Sequence, residues 1–117
     1  MSRDKGNRAA AWVAAYLRPW WPLAEKTPNG RPGADIENTP GVAFEVKTGA
    51  VWRDAWLKQA ARYNGAVRPL IYLPPGCGEA NVANAQFIVP LHVGMMLLEQ
   101  AGYAPGRAHA DAIPEGD

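Results

Sequence analysis

Residues 33–48 read Gly-Ala-Asp-Ile-Glu-Asn-Thr-Pro-Gly-Val-Ala-Phe-Glu-Val-Lys-Thr, and this stretch decides the fold. The pattern predicts two strands, residues 34–37 and 42–48, on either side of a turn at residues 38–41. Proline is confined to the turn, where its missing N–H costs no sheet hydrogen bond. We therefore expect a β-hairpin at the centre of the protein.

The second predicted strand has two chemically different faces. Because side chains alternate along a strand, Phe44 and Val46 share one face, and Glu45 and Lys47 share the other. Phe44 and Val46 are expected to point into the core. Glu45 and Lys47 are expected to stand together on the opposite face.

A helix is predicted over residues 7–18, ahead of the hairpin. Alanine supplies helix propensity, and the apolar residues recur at helical spacing: Ala9, Trp12, Val13, Tyr16 and Leu17. Pro19 ends the helix because proline disfavours the helical conformation in the residue before it. Residues 20–26 are predicted to form a first strand, and residues 29–33 a turn.

The part of the chain after the hairpin continues the alternation of helices and strands. The predicted elements are a helix over residues 52–64 ended by Gly65, a buried strand over residues 70–73, a mobile loop over residues 76–85, a strand over residues 86–89, and a helix from Pro90 to about Gln100. The order is therefore α-β-β-β-α-β-β-α, with no internal repeat.

Length and composition indicate one globular domain. The chain has 117 residues, 48% of them hydrophobic and 20% charged, which is too short for two independent cores. We expect the domain to span residues 1–103 and residues 104–117 to form a disordered tail. The polar start, the lack of a membrane-spanning run and the single cysteine, Cys77, lead us to expect a cytoplasmic protein.

Charge is distributed unevenly along the sequence. Residues 1–68 hold eleven Lys and Arg against six Asp and Glu, whereas residues 69–117 hold one against five. Three of the six acids, Asp35, Glu37 and Glu45, lie close together in sequence. A basic surface around an acidic focus suits a protein that holds a metal ion beside a polyanion, although a solvated charged surface also explains it.

Asp35, Glu45 and Lys47 are the residues that suggest chemistry. The predicted hairpin brings the two carboxylates within reach of one Mg²⁺ ion, which prefers hard oxygen ligands. Lys47 could then orient a water molecule or stabilise negative charge during phosphodiester hydrolysis. The alternative is that Glu45 and Lys47 form an ion pair on an exposed edge, worth about 0–1 kcal/mol.

Three motifs in order give the chain a resemblance to the PD-(D/E)XK nuclease superfamily, and within it to archaeal and phage-type Holliday-junction resolvases. The resemblance runs from about Lys5 to Leu98. The motifs are Lys5-Gly6 leading into a helix, Gly33-Ala34-Asp35 with Glu45-Val46-Lys47, and Gln59-Ala60-Ala61-Arg62-Tyr63, which is similar to a Gln-x-x-x-Tyr motif. Residues 59 and 63 would share one helix face.

The resemblance implies a fold and an activity. The fold is a restriction-endonuclease-like αβββαββα core with a central mixed sheet flanked by helices. Asp35 and Glu45 would bind Mg²⁺, with Mn²⁺ as a substitute, while Lys47 and Gln59 complete the catalytic set and Tyr63 supports it. The partner would be branched DNA, and a homodimer would present two matched sites to a four-way junction.

One position departs from the pattern of these resolvases. They usually carry a glutamate on the first helix, and that position falls at or near Ala10. Gln59 and solvent could complete the metal site instead, or another acid such as Glu25 or Glu37 could. A protein inactivated at this position is a third alternative.

Basic residues are candidates for contact with DNA phosphates: Arg3, Lys5, Arg8, Arg31, Arg53, Lys58 and Arg62. Their placement suggests recognition of DNA shape and backbone rather than bases. Two other functions stay open. One is a nuclease acting on flaps, single strands or unmodified invading DNA, and the other is a catalytically weak DNA-binding protein.

Overall fold

The computed structural model of the chain describes residues 2–49 and 67–105. The elements are helix α1 (Ser2–Leu17), strands β1 (Glu25–Lys26), β2 (Ile36–Glu37), β3 (Glu45–Thr48) and β4 (Leu70–Leu73), a 3₁₀ helix (Glu79–Asn84), strand β5 (Gln86–Ile88) and helix α2 (Leu91–Ala101). The predicted helix over residues 52–64, with Gly65, Gln59 and Tyr63, lies outside the described residues, as do residues 106–117 of the predicted tail.

A three-stranded mixed sheet forms the centre of this α/β fold. β3 pairs in parallel with β4, so that Glu45 lies beside Leu70 and Lys47 beside Tyr72. β5 pairs antiparallel with the other edge of β4, and the strand order is β3-β4-β5. The predicted buried strand at residues 70–73 is confirmed, since all four residues are buried.

Helix α1 covers one face of this sheet. Ala9, Ala10, Val13 and Ala14 are buried against β3, where the small alanine side chains allow close approach of the helix backbone. The helix ends at Leu17, as the proline at position 19 predicts. It begins at Ser2, five residues earlier than predicted. The prediction followed the apolar spacing, which does not extend into the polar residues 2–6.

The sheet side of the core follows the alternation predicted from the sequence. Phe44 is 3% exposed and Val46 is 6% exposed, and both belong to the apolar cluster beneath α1. Ile71 and Leu73 of β4 join the same cluster. Burial of a large apolar side chain contributes about 1.5–3 kcal/mol each, so this face holds α1 on the sheet.

The predicted hairpin is wrong: among the described residues, segments 34–37 and 42–48 do not pair with each other as neighbouring strands. β2 instead pairs antiparallel with β1, joining Lys26 to Ile36, while β3 pairs with β4. A backbone bond from the Asp35 N–H to the Phe44 carbonyl, 3.0 Å long, still links the two segments. β3 therefore lies beside the fully buried β4 and not beside β2.

Two further predictions need correction, and two are confirmed. Only Glu25–Lys26 of the predicted strand over residues 20–26 is extended, since Trp20 and Trp21 both donate backbone bonds to Leu17 and continue the helix end as turns. The predicted mobile loop over residues 76–85 contains the 3₁₀ helix. The predicted strand at residues 86–89 and the last helix are confirmed within one residue.

Helix α2 has clear boundaries. Pro90 precedes it, and Gly102 ends it with φ 88°, a left-handed conformation that glycine adopts without steric cost. Among the described residues, no helix is both long enough and apolar enough to cross a membrane.

Candidate active site

A polar cavity of about 310 Å³ lies between the N-terminal half of α1, the loop after β1 and strand β3. Its lining includes three residues singled out from the sequence: Asp35, Glu45 and Lys47. α1 contributes Gly6, Asn7 and Ala10, and the segment from Lys26 to Ala34 forms the opposite wall. The structure therefore brings together the two carboxylates and the lysine that the sequence predicts to act together.

Asp35 is fixed by hydrogen bonds on both its backbone and its side chain. The Val46 N–H donates to Asp35 Oδ2 at 2.8 Å, which ties the carboxylate to β3. The Asp35 carbonyl accepts from the Thr27 N–H at 2.8 Å. The Thr27 hydroxyl also donates to the Ala34 carbonyl at 2.7 Å. Thr27 therefore links the start of the loop after β1 to its end, where Asp35 lies.

Glu45 and Lys47 stand side by side, as the alternation predicts. Lys47 Nζ lies 3.3 Å from Glu45 Oε2. The ion pair that the alternative interpretation predicted is therefore present, but it is not on an exposed edge, since the Glu45 side chain is only 1% exposed and that of Lys47 is 24% exposed. A buried carboxylate needs a charge or hydrogen-bond partner, and Lys47 is one such partner.

Burial dominates the electrostatics of Asp35. Desolvation raises the pKa of this carboxyl above its ordinary value of 3.8, against the opposing effects of the Val46 N–H bond and the charges of Lys47 and Lys26. The native protein therefore holds a proton on Asp35 more tightly than the unfolded chain does. A carboxylate whose charged form is disfavoured by burial gains from the approach of a cation.

The raised pKa predicts a pH-dependent difference between the wild type and Asp35→Asn. Stability from the protonated carboxyl is fully present below pH 3.8 and is lost as pH rises through the raised folded pKa. The asparagine side chain of the variant retains an oxygen that can accept the Val46 N–H bond but carries no charge. In EDTA, Asp35→Asn should melt at a higher temperature than the wild type at pH 7.

The wild type and Asp35→Asn differ only at position 35. The other ionisable groups therefore contribute equally to the pH dependence of both melting temperatures and cancel in the difference between them. Melting curves between about pH 3.5 and 7.5 should show the advantage of Asp35→Asn shrinking as the pH falls. An advantage that stays constant with pH, or a wild type that is the more stable protein at pH 7, contradicts the burial of an ionised Asp35.

Sequence reasoning missed Lys26 and Asn7. Lys26 lies on β1 and lines the cavity, where its charge acts on Asp35. It forms no ion pair with any described residue, whereas Arg31 on the same wall is paired with Glu37 at 2.6 Å. The turn at residues 29–33 was the available signal, because a turn there places residue 26 opposite residue 36.

The first helix contributes no acid to the cavity from its described side chains. Ala10 lies where the resemblance places a glutamate, and it is 5% exposed on the cavity wall. The acids proposed as substitutes are not on that wall: Glu25 is exposed on β1, and Glu37 is bonded to Arg31. Among described α1 residues, Asn7 is the one that brings a side-chain oxygen to the cavity lining.

Adding an acid at this position should strengthen metal binding. Ala10→Glu would add a third carboxylate, from the α1 side, to the cavity that Asp35 and Glu45 already line. We expect Mg²⁺ to bind about tenfold more tightly, which corresponds to about 1.4 kcal/mol. Isothermal titration of the metal into the protein, without DNA, measures this directly.

The matched control is Ala11→Glu, which adds the same charge at the next, solvent-exposed position of α1. It should leave Mg²⁺ affinity unchanged within about twofold. Circular dichroism identifies a variant that fails to fold, in which case Asn7→Asp tests the same wall from a half-buried position. Equal affinity in the wild type and both folded cavity variants contradicts the assignment of this wall.

The candidate DNA-binding residues fall into three groups. Lys5 and Arg8 are exposed on the helix that borders the cavity. Arg31 is on the cavity wall, but Glu37 already offsets its charge. Arg3 belongs to α1, with a side chain outside the described ones, and Arg53, Lys58 and Arg62 lie beyond the described residues.

The donor set fits a magnesium ion that keeps part of its water shell. Asp35 and Glu45 offer carboxylate oxygens, the ligands that Mg²⁺ prefers, and the cavity has room for several water molecules. No group of three or more His, Cys, Asp or Glu residues that could hold a metal ion occurs in the described part of the chain. Water or substrate oxygens would therefore have to complete the coordination.

Comparisons with protein-family models, with curated proteins and with solved structures find no match for this chain. The fold and the site together define the class: an α/β protein whose mixed sheet carries Glu45 and Lys47 on β3, and in which Asp35, just before β2, joins them at a polar cavity beside the first helix.

Proposed function

We propose that this protein is a metal-dependent DNA endonuclease that hydrolyses phosphodiester bonds, with a restriction-endonuclease-like αβββαββα core of the PD-(D/E)XK type. One observation carries the proposal: Asp35, Glu45 and Lys47 line a single polar cavity. This arrangement contains two oxygen donors for a cation and an ammonium group beside them, a set of groups that suits metal-assisted phosphodiester hydrolysis.

Asp35 and Glu45 would hold the Mg²⁺ ion, and Mn²⁺ would substitute for it. A divalent cation supplies charge neutralisation at the phosphoryl group and lowers the pKa of a bound water. The Val46 N–H bond orients the Asp35 carboxylate before any cation arrives. Glu45 is 1% exposed, and its carboxylate lies 3.3 Å from Lys47 Nζ.

Lys47 and Lys26 give the cavity its positive groups. Lys47 would orient the attacking water or stabilise the negative charge that develops on the phosphate oxygens. Lys26, on the opposite wall, would attract a phosphate of the bound strand, because no described acid neutralises it through an ion pair. The Asn7 amide can donate to or accept from the same strand.

We propose branched DNA, in the form of four-way junctions, as the substrate. Support comes from the resemblance of the Lys5-Gly6, Asp35 and Glu45-Val46-Lys47 motifs to those of the resolvases. The exposed Lys5 and Arg8 on α1 extend the positive surface beyond the cavity and suit contact with DNA backbone.

A cleavage panel tests the proposal. Four-way junction, flap, linear duplex and single-stranded DNA are incubated with the protein, with Mg²⁺ omitted and then restored. We expect symmetric cleavage of the junction only when the ion is present. Equal cleavage of linear duplex would rule out a resolvase, and preferential cutting of flaps or single strands would identify a related nuclease.

One observation favours a second function, that of a catalytically weak DNA-binding protein. It is Ala10, a methyl group on the cavity wall where the resolvases usually have an acid. Such a protein would bind junctions with a strong dependence on salt and would show little or no turnover with Mg²⁺ or Mn²⁺. The same panel separates the two functions.

A further inference from the structure

Helix α1 presents cations and aromatic rings together on its solvent side. Four residues spaced three or four positions apart share this side: Lys5, Arg8, Trp12 and Tyr16. Trp12 is half-buried, and the other three are exposed. No described side chain of α1 is acidic. This side of α1 therefore combines positive charge with accessible aromatic surface.

An open recess of about 600 Å³ lies between this side of α1 and the 3₁₀ helix. Two aromatic rings, two methyl groups and two opposite charges contribute to its lining: Trp12, Tyr16, Ala11, Ala15, Arg18 and Glu79. We call it the α1 recess. The small alanine side chains leave room for a flat ring against the helix.

Both aromatic rings of the α1 recess are held in place by other parts of the fold. Tyr16 packs against Trp20, with ring centroids 5.7 Å apart and ring planes inclined by 48°. Trp12 packs against the apolar cluster beneath α1. A ligand that stacks on rings already held loses less conformational entropy on binding than one that must order them.

The two charges of the α1 recess are available to a ligand. Arg18 Nε donates to the Ala24 carbonyl at 3.1 Å, which positions the guanidinium. Glu79 is exposed at the start of the 3₁₀ helix. Within the described part of the chain, Arg18 and Glu79 pair neither with each other nor with another charged residue. The recess therefore offers N–H donors and carboxylate acceptors beside its aromatic rings.

This combination of groups matches an unpaired guanine base. Guanine has acceptors at O6 and N7, which arginine bonds, and an amino donor at N2 beside the N1–H, which a carboxylate can accept. Its flat face stacks on aromatic side chains. In a duplex the N1 and N2 groups pair with cytosine, and both faces are stacked on neighbouring bases, so the base must be unpaired.

The cations on the same side of α1 indicate that the base belongs to a nucleic-acid strand. Lysine is depleted at protein–protein interfaces, whereas cations beside aromatic rings are typical of single-strand sites. Lys5 and Tyr16 are eleven residues apart on α1, about 16 Å, which is the length of about five stacked nucleotides.

We propose that the α1 recess binds an unpaired guanine of a DNA strand whose phosphates contact Lys5 and Arg8. Trp12 and Tyr16 stack on the base, Arg18 donates to its acceptors, and Glu79 accepts from its N–H groups. The proposal rests on the proposed function for the identity of the polymer as DNA. It adds that the substrate has an unpaired base close to the strand that is cut.

The α1 recess and the polar cavity can serve one strand. Ala10 lines the cavity and Ala11, the next residue, lines the recess. The two sites therefore flank α1, which is about 10 Å across with its side chains. A strand that crosses the helix spans this distance with about three nucleotides.

Fluorescence anisotropy of labelled single strands in EDTA tests the proposal. One strand consists of nine thymidines, and the second has a guanine at its centre. The wild type should bind the guanine strand about tenfold more tightly. Tyr16→Leu should lower the affinity for the guanine strand about tenfold. Tyr103→Leu is the matched control and should change it less than about twofold, since Tyr103 is 84% exposed and is not in the lining.

Two other variants separate the roles of the charged residues. Glu79→Gln should lower the ratio of the affinities for the guanine and thymidine strands at least about threefold. Equal gains for both strands would show that Glu79 only repels DNA, which contradicts its role. Arg8→Gln should reduce the slope of log affinity against log salt by about 0.7, a slope that Tyr16→Leu leaves unchanged. Circular dichroism verifies that each variant is folded.

Several results overturn the α1 recess as a base site. Equal affinity of the wild type for both strands does so, as does wild-type affinity in a folded Tyr16→Leu protein. Deoxyguanosine monophosphate bound as tightly as the guanine strand would assign the recess to a free nucleotide instead. A wild type that binds no DNA, four-way junctions included, contradicts the proposed function as well. Junction binding without preference for the guanine strand contradicts the α1 recess alone.

Discussion

Replacing Asp35 with alanine should abolish Mg²⁺-dependent cleavage of four-way junctions while junction binding is retained. Asp35 is one of two described carboxylates on the cavity wall, so its loss halves the charge available to a cation. We expect the single-turnover rate to fall about 10³-fold or more. Affinity for the junction, measured in Ca²⁺ or EDTA, should change less than about threefold, since the basic residues are intact.

Two further variants make this result specific. Asp35→Asn removes the charge while leaving an acceptor for the Val46 N–H, so it should be as inactive as Asp35→Ala with the backbone link preserved. Glu25→Ala removes an exposed acid on the neighbouring strand and should cleave at the wild-type rate. Cleavage by Asp35→Ala at the wild-type rate would end the assignment of this cavity as the active site.

Replacing Lys47 with methionine should impair both catalysis and stability. Methionine keeps most of the length and packing of the side chain but removes the ammonium group 3.3 Å from Glu45 Oε2. We expect the single-turnover rate to fall about 10²–10³-fold, as for loss of one group that stabilises a transition state. The free energy of unfolding should fall by about 1.5–3 kcal/mol, because the buried Glu45 loses a charged partner.

Lys47→Arg separates the two effects. Its guanidinium keeps a positive charge beside Glu45 and should restore most of the stability, while its different shape restores activity only in part. Urea denaturation and single-turnover cleavage of both variants, with folding checked by circular dichroism, provide the comparison. A folded Lys47→Met protein that cleaves at the wild-type rate would remove Lys47 from the catalytic set.

The sequence predicted the local features of the site because they follow from strand geometry alone. Alternation placed Phe44 and Val46 in the core and Glu45 beside Lys47, and the structure has both. The apolar run at residues 70–73 likewise identified β4. These features depend on neighbours in sequence, which is why no tertiary information was needed.

The pairing of strands could not be predicted in the same way. The turn at residues 38–41 favours a hairpin, yet β3 pairs in parallel with β4, which lies much further along the chain. Leu70, the β4 residue beside Glu45, is 0% exposed, so the observed pairing places β3 next to the buried strand. The contribution of Lys26 to the cavity depends on the local pairing of β1 with β2 across the turn at residues 29–33, and it was missed because the hairpin was predicted at residues 38–41 instead.

The lining of the cavity at Ala10 could be predicted from the sequence only in part. The resemblance to the resolvases identified the position, and the structure places Ala10 in the lining of the same cavity as Asp35 and Glu45. What α1 contributes in place of the acid follows from helix phase: Asn7, three residues earlier, lines the same cavity. Gln59 and Tyr63, which lie outside the described residues, stay predictions.

Helix α1 carries two surfaces in one rigid element. Asn7 and Ala10 line the polar cavity, whereas Tyr16 and Leu17 line an apolar groove of about 470 Å³ that Phe87 of β5 also lines. Inserting a single residue between Ala10 and Val13 would rotate one set relative to the other by about 100°. Either the cavity would lose its wall or the groove would lose its aromatic side. Length variation in this protein should therefore be tolerated in loops and not within the first helix.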